Sequence, residues 1–259
     1  MAEKTAISWC DHTWSPWEGC TKVSPGCDHC YAAARNGRFA KGSNWGPGAP
    51  RRRTADWEKP RRWNAAAKAA GVRRTIFPSL CDPFDNEVDP SWRAELFALI
   101  AETPHLTWLL LTKRIGNVAR MIEAPGMQKC GLPPNAWLGA TVVNQAEADR
   151  DTPKLLATPA AVRFLSVEPM LGPVDLHRFM AGDGHDAPHF RDGALHWVIC
   201  GGESGPHARP GDIEWYRSLM QQCKSAGVAF HMKQITEREK PLPMEQWPKD
   251  LTAQEFPHA

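Results

Sequence analysis

The chain has 259 residues, 42% of them apolar and 23% charged, with a formal net charge of +2. That is a globular composition, which excludes wholesale disorder, and the charge is too small to argue for any partner by itself. No uninterrupted apolar run approaches the ~20 residues that a bilayer-crossing helix needs, and the first residues lack the regions of a signal peptide, so a soluble, intracellular protein is expected. In that compartment thiols stay reduced, and the eight Cys read as ligands or buried residues rather than as disulfides.

In chain order, the first 30 residues are rich in Trp, Cys, Gly and Pro and read as irregular chain around a site. Residues 31–38 (YAAARNGR) form a short helix directly after Cys30. Residues 41–60 are dense in Gly and Pro and read as an exposed loop; 61–70 is helical, with Gly71 as its stop. Then a rhythm sets in. Strand-like runs lie at 75–80, 107–112, 137–143, 162–167, 197–200 and 228–232, with a further one near 7–9. Helical stretches at 91–102, 116–123, 145–156 and 213–225 fall between most of them. Runs such as WLLLT and WVIC are apolar throughout, as in strands covered on both faces. The alternation predicts an α/β fold with a parallel sheet of about six strands, a partial (β/α) barrel, with an open doubly wound sheet as the rival. We read one domain over 1–259: a loop region 1–40, a basic Trp-containing loop and helix 41–74, a β/α core 75–235 and a C-terminal cover 236–259.

The densest chemical signal is GCTKVSPGCDHCYA, which places Cys20, Cys27 and Cys30 at C-x6-C-x2-C spacing. Two Cys separated by two residues chelate one metal or one cluster edge. Three ligands rather than four leave one iron of a [4Fe–4S] cubane open for S-adenosylmethionine (SAM), the arrangement of radical SAM enzymes. Zinc is the alternative, with His12, His29 or Cys10 as a fourth ligand. Cys81, Cys130, Cys200 and Cys223 are isolated and read as buried structural thiols.

Polar residues follow almost every strand-like run, where ligands sit in barrels and open α/β sheets alike. Asp82 would accept from the SAM amino group, or is simply the turn residue of Asp-Pro. Lys113 and the adjacent Arg114 would hold the SAM carboxylate or a substrate phosphate, against the reading of a solvated basic loop. Glu168, in a Val-Glu-Pro strand end, would face the SAM ribose or the substrate, and Lys113 and Glu168 are the candidate catalytic pair. Gly201, Gly202 and Glu203 would let backbone approach the cofactor, with Lys233 and Gln234 placed similarly. Arg51, Arg52, Arg53, Arg61 and Arg62 point to nucleic-acid phosphates, and Trp45, Trp57 or Trp63 to stacking on bases, against a surface loop whose Trp pack back onto the protein.

The segment SPWEGCTKVSPGCDHCYA, followed by LCDPF, LLLTKR, SVEPML and GGESG, resembles the phage-associated three-cysteine-motif family over roughly residues 7–234. That family is radical-SAM-like. The resemblance implies a radical SAM type barrel with a cluster loop near its first strand, Cys20, Cys27 and Cys30 on a [4Fe–4S] cluster, and SAM as co-substrate. It also implies an external electron donor of the flavodoxin or ferredoxin type, and a nucleobase of phage-type DNA as substrate, with isomerisation or rearrangement as an outcome. The setting would be the cytoplasm, the host's if the protein is phage-encoded. The first Cys gap is longer than the common C-x3-C, His29 stands where an aromatic residue is usual, and Asp82 occupies the place of the familiar Gly-Gly-Glu after the second strand. The alternatives are a radical SAM enzyme acting on RNA or a free nucleotide, and a zinc-stabilised nucleic-acid-binding protein without catalysis.

Overall fold

The computed structural model describes residues 2–123, 131–180, 194–205, 207–237 and 239–257. Cys130 lies outside them. The elements in order are β1 (His12–Thr13), β2 (Trp17–Glu18), α1 (Tyr31–Ala40), β3 (Arg52–Arg53), α2 (Glu58–Ala69), β4 (Arg74–Phe77), α3 (Pro90–Glu102) and β5 (Leu106–Thr112). There follow α4 (Val118–Ile122), β6 (Ala136–Thr141), α5 (Gln145–Ala157), β7 (Arg163–Val167), α6 (His177–Met180), β8 (Trp197–Gly201), α7 (Ile213–Ala226), β9 (Ala229–Gln234), β10 (Thr236–Glu237) and β11 (Lys240–Pro241).

The protein is α/β, with a seven-stranded sheet in the order β1-β4-β5-β6-β7-β8-β9. The pairs β1/β4, β4/β5, β7/β8 and β8/β9 are parallel. The order never reverses, whereas a doubly wound sheet has a switch point where it does. The rival architecture is thereby excluded. All six apolar runs are strands, but the first strand lies at His12–Thr13 instead of 7–9. The loop expected over 41–60 carries a strand that pairs antiparallel with β2, Trp17 opposite Arg53 and Glu18 opposite Arg52. Helix α2 starts three residues before the expected 61, at Glu58. Pro60 is tolerated there, in a first turn whose N–H groups have no partner within the helix.

By its internal contacts the chain divides into two compact units, Met1–Val23 with Ala32–Leu138, and Ser24–Tyr31 with Gly139–Ala259. In the first, β5 is buried along almost its whole length and α3 lays Leu96, Leu99 and Ile100 into the core. Trp14, fully buried, meets Trp57 and Trp108 edge-on at centroid distances of 5.3 and 5.8 Å. In the second, every residue of β7 and β8 is buried, and Phe164, Trp197, Tyr216 and Phe230 fill the core. Helix α7 is well delimited: the Asp212 side chain accepts from the N–H of Glu214 at its start, and Gly227 closes it with φ 67°. No helix among the described residues is long and apolar enough to cross a membrane.

Candidate functional site

In the first unit the strand ends converge on Cys20. Ribbon strand β2 leads into Gly19, whose φ of +128° and the 2.3 Å from its would-be Cβ to the Asn44 carbonyl oxygen admit only glycine. The Gly19 N–H donates to the Leu80 carbonyl at 3.1 Å, which pins this stretch against the chain leaving β4. Arg114, just after β5, donates through Nη1 to Cys20 Sγ at 3.3 Å and to Asp82 Oδ2 at 3.0 Å, and through Nη2 to the Thr21 carbonyl at 2.6 Å. Asp82 also accepts from Phe84 N and Thr112 Oγ1 on Oδ1, at 2.9 and 2.7 Å, and from Lys113 N on Oδ2 at 3.1 Å. Two donors on each oxygen fill a carboxylate's acceptor capacity. Asp82 therefore orients Arg114 and has no lone pair left for the SAM amino group expected there. Burial, reinforced by the Asp82 charge, pushes the Cys20 thiol up to about 12 against the opposing pull of Arg114. The Lys113 ammonium is half-buried with no hydrogen bond or ion pair among the described residues.

In the second unit Cys27 and Cys30 sit on and just after a single 3₁₀ turn, Pro25–Cys27, capped by Ser24 Oγ accepting from Gly26 N at 3.1 Å. Cys27 is buried and Cys30 half-buried. The turn is gripped from outside. Arg209 donates through Nη2 to the Pro25 carbonyl at 2.8 Å, and its Nη1 reaches Asp28 Oδ2 at 3.3 Å. Glu203, after β8, in turn holds Arg209: Oε2 accepts from its N at 2.8 Å and its Nε at 3.0 Å, and Oε1 from its Nη2 at 2.5 Å. His29 Nδ1 lies 2.7 Å from Glu203 Oε2. Burial works to raise the Glu203 carboxyl, but the Arg209 and His29 hydrogen bonds prevail and hold it at about 2. Glu203, expected on the cofactor, is thus occupied in anchoring the cysteine turn. His29 is engaged in the same contact through its Nδ1.

The glycines after β8 have a local explanation too. A Cβ on Gly202 would lie 2.5 Å from Thr236 Oγ1, and Gly202 N donates to the Gln234 carbonyl at 2.9 Å. The close approach there is of the chain's own strand end. Gly201 is looser, its would-be Cβ 3.4 Å from the Gln234 side chain. Glu168 forms an ion pair with Lys233, joining the ends of β7 and β9.

Of the arginines expected on nucleic acid, Arg51 is interior, its side chain 1% exposed. It donates to Asp85 Oδ2 at 2.7 Å and to the Ala49 carbonyl and Thr21 Oγ1 at 2.9 and 2.8 Å, so it braces the loop and leaves no donor for a phosphate. Arg52, Arg53, Arg61 and Arg62 keep outward faces while paired to Glu18, Glu95, Glu102 with Glu58, and Asp56 respectively. Trp63 is 6% exposed and stacked on His12 at 4.4 Å, so it cannot receive a base. Trp57 is half-buried against Trp14, with Arg53 over its ring at 4.6 Å.

The seven cysteines among the described residues are all free thiols. A [4Fe–4S] cluster suits this donor set by chemistry, three soft ligands on one loop. Among the described residues no three His, Cys, Asp or Glu side chains are already gathered into a group that would hold a metal ion. Sequence reading missed Arg209 and the anchoring role of His29, which no spacing announces.

Residues 4–255 match the model of a family described as "Protein of unknown function (DUF5131)", and the chain belongs to that family. No curated protein and no solved structure matches it.

Proposed function

Membership of that family carries no activity with it, and we propose from the residues themselves that the chain is a radical SAM enzyme acting on a nucleobase, with Cys20, Cys27 and Cys30 as ligands of one [4Fe–4S] cluster. The observation that carries this reading is the C-x6-C-x2-C set of free thiols, on a loop braced within its own units by Arg114 and by Arg209. When bound, such a cluster supplies a one-electron reduction of SAM that leads to hydrogen-atom abstraction from the substrate. The electron comes from an external donor of the flavodoxin or ferredoxin type.

The protein's own share is to bind, orient and shield. Arg114, oriented by Asp82, places a fixed positive charge against Cys20 and favours its thiolate. Arg209, oriented by Glu203, holds the turn that carries Cys27. With Asp82 and Glu203 occupied, Lys113 is the cation left to meet the SAM carboxylate or a substrate phosphate. Glu168, paired to Lys233, and Gly201 are the remaining strand-end groups offered to ligands. The DNA nucleobase, and a rearrangement as outcome, follow from the resemblance to phage-associated proteins and from the outward-facing arginines.

The test is anaerobic purification with iron and sulfide quantified, and absorption spectra before and after dithionite, in wild type and Cys27→Ala. A brown protein with about four irons per chain, bleached on reduction and lost in the variant, supports the reading. A colourless protein with about one zinc overturns it in favour of a zinc-stabilised nucleic-acid-binding protein.

A further inference from the structure

In the first unit, the ribbon of β2 and β3 borders a cavity of about 190 Å³ lined by Trp17, Glu18, Arg35, Arg52, Arg53 and Thr54, among others. Three guanidinium groups face this space against one carboxylate. Glu18, its side chain 6% exposed, accepts from Arg35 Nη1 at 3.2 Å, from Asn36 Nδ2 at 3.0 Å and from Arg52 Nη2. Arg53 pairs through Nη2 with Glu95, itself half exposed, and lies over the Trp57 ring. Each of the three arginines thus spends one terminal nitrogen on a carboxylate among the described residues. Its remaining N–H groups, of the five a guanidinium carries, are left to other acceptors.

The second observation is independent of charge. Trp17 is fully buried, and its indole Nε1 has no hydrogen-bond partner among the described residues. A buried N–H without an acceptor is costly, and indole nitrogen can only donate. Three arginines and one indole, opposed by a single carboxylate that already accepts from three donors, suit an oxyanion with several acceptor oxygens. The volume is several times the ~30 Å³ share of a water molecule, so it admits a tetrahedral group and not only solvent. Arginine forks match phosphate geometry in a way that ammonium groups do not.

We propose that this cavity is an oxyanion subsite that takes one phosphate group of a nucleotide. The site stands on its own geometry and does not depend on the cluster. Across the ribbon Trp17 lies opposite Arg53 and Glu18 opposite Arg52, and all four residues line the cavity. The phosphate of a free nucleotide and that of a nucleic-acid backbone share this chemistry, and the experiment separates them.

Isothermal titration calorimetry on the full chain would use inorganic phosphate, thymidine 5′-monophosphate, thymidine and a short oligothymidylate without terminal phosphate. The proteins are wild type, Arg35→Gln, Arg53→Gln and Trp17→Phe, with Arg178→Gln, an exposed arginine paired to Asp149, as the control outside the cavity. Wild type is expected to bind the monophosphate and not thymidine, with inorganic phosphate as competitor. Arg35→Gln and Arg53→Gln should each weaken binding roughly tenfold, the loss of one charge-assisted hydrogen bond. Trp17→Phe should weaken it a few-fold, and Arg178→Gln should match wild type. Binding of the oligothymidylate with the same variant pattern assigns the phosphate to a nucleic-acid backbone and equally supports the subsite. No binding of any phosphorylated probe to wild type, or binding unchanged in both Arg35→Gln and Arg53→Gln, overturns the proposal. Uptake of inorganic phosphate alone overturns its nucleotide part. Arg53 is at the surface, so its variant should stay folded even if Trp17→Phe does not. Iron measured on the same samples reads the cluster and not this cavity, so either reading can fail alone.

Discussion

The carboxylate of Glu203 receives three nitrogens of Arg209 and faces one of His29 while 4% exposed. Its carboxyl is depressed from 4.5 to about 2. A depressed carboxyl contributes stability that is fully present above its unfolded value and is lost as pH falls through the folded one. Glu203→Gln should lower unfolding stability at pH 7 by about 3 kcal/mol and flatten the acid limb between pH 4.5 and 2. Urea melts of both proteins across that window check this; parallel acid limbs would refute the anchoring role. The sequence marked Glu203 as a polar strand end, correctly, but its chemistry turned on Arg209, six residues further along an irregular loop, where no periodicity points to a partner. Asp82 behaves alike. Its position after β4 was legible, whereas three of the four donors that fill it come from Thr112, Lys113 and Arg114, some thirty residues further along.

Elements were more readable. Strands β5 and β8 are apolar runs because β8 is buried throughout and β5 along almost its whole length, and such runs survive in sequence as a local signal. Ribbon β2/β3 was not readable, because two-residue strands in a Gly- and Pro-rich stretch leave no alternation to detect. Within β6, Gly139 shows why one position admits no side chain. A Cβ there would lie 2.3–2.6 Å from three ring carbons of Phe164 on β7. Gly139→Ala forces that ring to move in a filled core, which costs about 1–3 kcal/mol and should lower the melting temperature by several degrees. An unchanged melting temperature would mean that the ring has room to turn.

Over the whole molecule the formal charge is only +2, and most of the arginines among the described residues are already paired with carboxylates of the chain. Arg51 and Arg52 are neighbours in sequence with opposite fates. If nucleic acid binds the basic stretch, neutralising Arg52 and Arg53 together should reduce the slope of log affinity against log salt by about 1.4 for a single strand. Arg51→Gln should instead destabilise the fold, because it strips the partner from Asp85, whose side chain is 1% exposed. Filter binding across a salt series, with melts alongside, separates the two effects. An unchanged slope in the double variant would remove these residues from any nucleic-acid surface.

The sequence by itself determined the α/β alternation, the six apolar core strands and most helix bounds, and the spacing of three thiols, since each is written in neighbouring residues as burial pattern or residue order. Only the tertiary structure decided that the sheet winds without reversal, that Arg51 is interior, and that Asp82 and Glu203 serve arginines. The reason is distance along the chain. Arg114 reaches Cys20 over 94 residues and His29 reaches Glu203 over 174. A charge carries no mark in its local sequence of the partner that folding will bring to it.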